Sequence, residues 1–252
     1  MAFDSLTRAP RNLKEGIDWL IALRGTDAKK NLTAMGDALH DLLADKPIGK
    51  MEFLPLKKVK IFSRDFLMKP SLRDQPFVDE LLEKFNAPMD KTDLPLKRLS
   101  SSMDSDYFNI IKKKRLQPEA MARFLGLVVY GCDKFLKHMK IPDQYESVYS
   151  PEATWDASCA QDPEACAVVF VGIAPMLYAG LRSLKDATKA AAKDESNARA
   201  RKRLADVLRA VGYKDSERRP HMRISYIFEA LSDVDQDVLD ILCDFSAFWA
   251  FY

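Results

Sequence analysis

The feature that most constrains this chain is an uncharged run. From Ala165 to Leu181 no residue carries a charge, inside the stretch Cys166 to Ala192, CAVVFVGIAPMLYAGLRSLKDATKAAA. A helix that is apolar all round has to be buried, in a large core or in a bilayer. The run sits at the lower edge of what spans a membrane, and Gly172, Pro175 and Gly180 interrupt it. It is therefore read as the central helix, roughly 165–192, of a soluble all-α domain. Pro175 has no N–H and its ring crowds the carbonyl of Val171, so it kinks this helix or opens a new one.

The remaining chain must wrap that helix. With 252 residues there is enough material for one domain, 1–252, with a substantial core. Hydrophobic residues at 47% and charged residues at 30% fit a folded protein and exclude a disordered one. Lys and Arg total 39 against 37 Asp and Glu, so no global field steers the chain onto nucleic acid or anionic lipid. The opening MAFDSLTRAPRNLKEG lacks the apolar core of a signal peptide, and no lipidation box closes the chain. No transmembrane segment is expected.

Helical spacing recurs almost everywhere, and an irregular bundle of eight to ten helices is predicted. Residues 1–11 read as an irregular, flexible arm. Asn12 and Glu15 form a capping-box-like start for a helix carrying Leu13, Ile17, Leu20 and Ile21 and ending near Arg24-Gly25. Leu32, Met35, Leu39, Leu42 and Leu43 mark a second helix. FVDELLEKF after Pro76 is a third, and Ser101 to Leu116 a fourth, its Lys112–Arg115 cluster suiting the helix dipole. Pro118 opens the cleanest amphipathic helix, with Met121, Leu125, Val128, Cys132, Phe135 and Met139 at steps of three and four. Leu204, Val207, Leu208 and Val211 mark a helix closed by Gly212. Ile224 to Leu231 is a short one. The last helix, capped by Ser232, carries Val234, Val238, Leu242, Phe245 and Trp249 on one face. Trp249 is expected to hold the C-terminus onto the core.

Three segments resist this pattern: 46–75, 86–99 and 141–164. Prolines punctuate them, and long irregular connections are usually functional or mobile. The first is basic through Lys57, Lys58, Lys60 and Arg64. Its apolar residues, Phe53 to Phe62, suit either a short strand or an irregular helix, so any β-structure is confined to 50–65. In the third, Tyr145, Tyr149 and Trp155 either fold back onto the bundle or anchor a partner.

Chemical motifs are sparse. His40, His138 and His221 form no metal-binding spacing with Cys132, Cys159, Cys166 or Cys243, and no metal is expected. Cys159 and Cys166 bracket AQDPEA, which a disulfide closes if the compartment is oxidising; otherwise they are two reduced thiols. Asp233, Asp235, Asp237 and Asp244 imitate a calcium loop, but Val238 stands where that loop needs glycine. Asn31-Leu32-Thr33 matches a glycosylation acceptor inside a predicted helix. No phosphate loop or nucleophile elbow is present, so no catalytic residue and no cofactor are assigned, and the chain is read as a non-enzyme.

The stretches NLKEGIDWLIALRG, CAVVFVGIAPMLYAGLRSLKDATKAAA, LADVLRAVGY and LCDFSAFWAFY, scattered between Asn12 and Tyr252, resemble one multigene family. It is the variant erythrocyte surface antigens of Babesia parasites and their smaller soluble-looking relatives. The resemblance implies an exported or surface-associated protein of the infected erythrocyte, serving antigenic variation, immune evasion or adhesion. Its partner would be a host or parasite protein: an adhesion receptor, an antibody or another family subunit. Larger members carry a membrane segment near the C-terminus and a Cys- and Lys-rich region; this chain carries neither, and so resembles a soluble relative or an ectodomain. Partner contact is expected in the irregular segments, at Lys57, Lys58, Lys60, Tyr145 and Tyr149. The competing expectation is an intracellular helical module that binds protein or nucleic acid through basic clusters near 57–64, 112–115 and 199–223.

Overall fold

The computed structural model describes residues 2–44, 53–86, 111, 115–214, 216 and 223–251, with side chains up to Ser246 in the last helix. These residues form eleven helices and no strand. They are α1 (Leu13–Arg24), α2 (Ala28–Ala44), α3 (Leu54–Leu67), α4 (Pro70–Arg73), α5 (Pro76–Asn86), α6 (Pro118–Met139), α7 (Trp155–Ser158), α8 (Pro163–Lys193), α9 (Ala198–Ala210), α10 (Ile224–Ala230) and α11 (Gln236–Phe251). The all-α expectation holds. The count exceeds eight to ten through single-turn pieces such as α4 and α7, which carry no periodicity to read.

Helix α8 is the axis. It touches α1, α2, α3, α9, α10 and α11, and every residue from Cys166 to Leu181 is buried. An 18-residue window of it has mean hydropathy 1.8, apolar enough to cross a membrane, and 89% of that window is buried by the other helices. Asp162 caps its first turn by accepting from the Ala165 N–H at 3.1 Å. Pro175 neither ends the helix nor opens a new one. Near it, α3 crosses α8 at Gly172, where an added Cβ would meet Val59 at 2.4 Å. The Ser63 hydroxyl donates to the Gly172 carbonyl at 2.6 Å. A small residue and a buried hydroxyl thus fix the crossing.

Within the 50–65 stretch the described residues from Leu54 on are helix, and for them the strand alternative is corrected. Pro55 occupies the first helical turn, where a missing N–H costs nothing. Leu56, Val59, Ser63, Phe66 and Leu67 form the inward stripe. The N-terminal arm is also corrected in part. Residues 2–11 are irregular, as expected, yet Leu6 is fully buried and its carbonyl accepts from Trp19 Nε1 at 2.7 Å. Trp19 stacks on Phe170, with centroids 6.3 Å apart, and Phe170 meets Phe245 edge-on at 5.1 Å. This aromatic chain joins α1, α8 and α11 through the centre of the core.

Caps written in the sequence are present. The Glu15 N–H donates to Asn12 Oδ1 at 3.0 Å, and Glu15 reaches back to the Arg11 N–H at 2.8 Å. At α11 the cap is Asp235, whose Oδ1 accepts from the Val238 N–H at 3.0 Å, and not Ser232. That bond gives Asp235, one of the four acids of the cluster, a capping role. Trp249, residues 87–99 of the 86–99 segment and most of 101–114 lie outside the residues whose side chains are described.

Candidate functional site

A cleft of about 660 Å³ lies between α1, the end of α6 and the loop 145–156. Its floor is Asp18, 3% exposed, the only charged residue between Gly16 and Leu23. Helical spacing puts Asp18 on one face of α1 with Ile21 and Ala22, which line the cleft beside it. Tyr145 Oη donates to Asp18 Oδ1 at 2.6 Å, and the Val148 N–H donates to Oδ2 at 3.1 Å. Burial pushes this carboxyl up from 3.8 to about 6, against the Tyr145 and Val148 hydrogen bonds and the Lys14 charge, with Glu15 adding to the rise.

Lys14 ties down the same loop. Its Nζ donates to the Glu146 carbonyl at 3.0 Å and lies 4.6 Å from the Tyr145 ring centroid. Lys140 approaches that ring at 5.8 Å. A second carboxylate, Asp133, behaves oppositely. Burial raises it, but Lys137 at 2.7 Å and Arg24 at 3.0 Å outweigh that and hold it below the usual carboxylate range. One cleft thus contains an acid locked in its charged form and another able to hold or release a proton near neutrality.

The structure redistributes the sequence-predicted site residues. Lys57 and Lys58 are exposed, but on a helix and not on a loop. Lys60 is buried, with its Nζ 5.5 Å from the Phe85 ring centroid. Tyr149 is 5% exposed and its hydroxyl donates to the Arg8 carbonyl. Tyr145 is half-buried against Asp18. The aromatic residues of this loop, Trp155 included, fold back onto the bundle, and Tyr145 remains part-exposed at the cleft. Asn31 is buried and its amide donates to the Arg24 carbonyl at 3.1 Å, which leaves no glycan acceptor there.

Cys159 and Cys166 are bonded to each other, with Cα atoms 5.8 Å apart. Among the described residues no group of three His, Cys, Asp or Glu side chains is placed to hold a metal ion. Sequence reasoning missed Asp18. The available signal was a lone acid inside the otherwise uncharged run Ile17 to Leu23, a position that a solvated charge does not favour. No family model, no curated protein and no solved structure matches the chain.

Proposed function

We propose that this chain is a non-enzymatic interaction protein, exported to or displayed on the infected erythrocyte, in the role that its resemblance to the Babesia variant antigens implies. The observation that carries this reading is the Cys159–Cys166 disulfide. Such bonds persist in oxidising surroundings and are rare where glutathione keeps thiols reduced. The resembling stretches supply α1, α8, the end of α9 and α11, and these are framework helices. A framework held constant leaves the exposed surface free to vary at little cost to folding. Exposed positions such as Lys57, Lys58, Asp143, Gln144, Glu146 and Glu152 are where a receptor, an antibody or another family subunit would touch.

The experiment is localisation of the native protein with an antibody, combined with thiol trapping before lysis. Export predicts protein outside the parasite with Cys159 and Cys166 protected from alkylation. A cytosolic protein with both thiols alkylated would refute it. One observation favours the intracellular alternative. Arg199, Arg201, Lys202 and Arg203 are exposed at the start of α9, which has no acidic residue in its first turn to suit the helix dipole. Salt-dependent affinity for generic RNA or DNA would support that reading.

A further inference from the structure

The cover over the Asp18 cleft has two layers. The loop layer is joined to the N-terminal segment by the Phe3 N–H to the Val148 carbonyl, 2.7 Å, and the Ser150 N–H to the Phe3 carbonyl, 2.9 Å. Phe3 also meets Tyr149 edge-on at 5.2 Å. The bonds described from α1 to the 145–148 stretch are those of Asp18 to Tyr145 and Val148, and that of Lys14 to the Glu146 carbonyl. The N-terminal layer continues to α7 through the Leu6 N–H, which donates to Ser158 Oγ at 3.0 Å.

We propose that the 145–150 loop is a proton-dependent clasp over this cleft, fastened when Asp18 is neutral and loosened when it is charged. The cause is desolvation. Under the closed loop the carboxylate is stripped of water and only partly repaid by two hydrogen bonds. Opening returns it to water, so the charged form favours the open state and the proton favours the closed one. The neutral carboxyl still accepts from the Val148 N–H, and its own O–H has Tyr145 Oη as acceptor.

The charged groups around Asp18 do not remove this bias. Lys14 and Glu15, on its own helix, oppose each other. Asp133 pairs with both Lys137 and Arg24, which leaves the triad one positive charge over, and Lys140 faces the Tyr145 ring; burial of Asp18 outweighs these cations and its shift is still upward. In the cover, Tyr149 stays a neutral phenol because burial raises it. With an ordinary carboxyl in the open state, linkage makes the loop open about tenfold more often at about pH 7.5 than at about pH 5.

Hydrogen exchange of the full chain tests this at those two pH values, with labelling times scaled for intrinsic exchange. Peptides covering 141–154 are expected to open about tenfold more at the higher pH, through openings more frequent than the global unfolding that exposes α8. Asp18→Asn abolishes the difference. Equal opening at both pH values in the parent, or a difference that survives in Asp18→Asn, overturns the proposal. If Asp18→Asn does not fold, carboxyl carbon chemical shifts of the parent decide. One aspartate titrating near 6 supports the clasp, and all aspartates titrating in the ordinary range overturn it.

Discussion

Replacing Gly36 and Gly126 separately by alanine should move stability in opposite directions. Both lie in the α2–α6 pair, which is the more extensively packed of the contacts α6 makes. At Gly36 an added Cβ would meet the backbone N of Ala122 at 2.6 Å and its Cα at 2.8 Å. A helix backbone cannot rotate aside as a side chain can, so α2 and α6 must separate. Contacts of Met35, Leu39, Met121 and Leu125 loosen with them. Overpacking of this kind costs typically about 1–3 kcal/mol, and backbone contact argues for the upper end. Helix propensity returns about 1 kcal/mol. The net expectation for Gly36→Ala is a loss of about 1–2 kcal/mol, or roughly 2–4 °C in Tm for a chain of this size. At Gly126 the nearest atom to the added Cβ is Leu32 Cδ1 at 4.0 Å, so only the propensity gain remains. Gly126→Ala should gain about 0.5–1 kcal/mol. Urea unfolding followed by circular dichroism measures both. A Gly36→Ala variant as stable as Gly126→Ala would refute the close approach of α2 and α6.

Three further outcomes are expected. The folded carboxyl of Asp18 titrates near 6 against 3.8 when exposed, so its contribution to stability is fully present below about 4 and is lost as pH rises through 6. Between pH 4 and pH 7 that loss is about 2 kcal/mol, and it should appear as the difference between the parent and Asp18→Asn in urea unfolding at those two pH values. Cys159→Ser, or reduction, should cost about 2–3 kcal/mol by chain entropy for so short a loop, read as a lower urea midpoint. Cys132 is fully buried and its thiol is pushed up to about 12, so iodoacetamide should leave it unlabelled in the native protein and label it only after unfolding. Exposed Cys243 should label natively.

Much of the helical frame was legible because its signals are local. Asn12 with Glu15 and the closing Gly25 act within one turn, and the stripes on α2 and α6 follow the helical period; the Asp162 cap before Pro163 falls in a segment whose pattern reads as a loop. Helix α3 was ambiguous for a physical reason. Lys60 and Ser63 occupy inward positions while Leu54 and Ile61 are exposed, so the apolar stripe is broken on both faces. The burial of Lys60 depends on Phe85 of α5, and that of Ser63 on the Gly172 carbonyl of α8, neither of which periodicity reports. The Asp18 cleft was hidden likewise. Its partners Tyr145 and Val148 are 127 and 130 residues away in the chain. The loop and arm read as irregular because they are; their anchoring is tertiary.

The disulfide has a consequence for proteolysis. Cys159 follows α7 and Cys166 lies in the first turns of α8, so the bond staples α7 to the axis of the molecule. Through Ser158 and Leu6, α7 in turn holds the N-terminal segment, which lies on the 145–150 loop. Cutting this covalent link frees one side of the protein while the α2–α6 and α8–α11 contacts stay intact. A protease acting under reducing conditions would then nick 141–162 first and leave a helical remainder. Material recovered from cells and challenged with a protease without reductant would therefore be nicked there only in molecules that lack the bond.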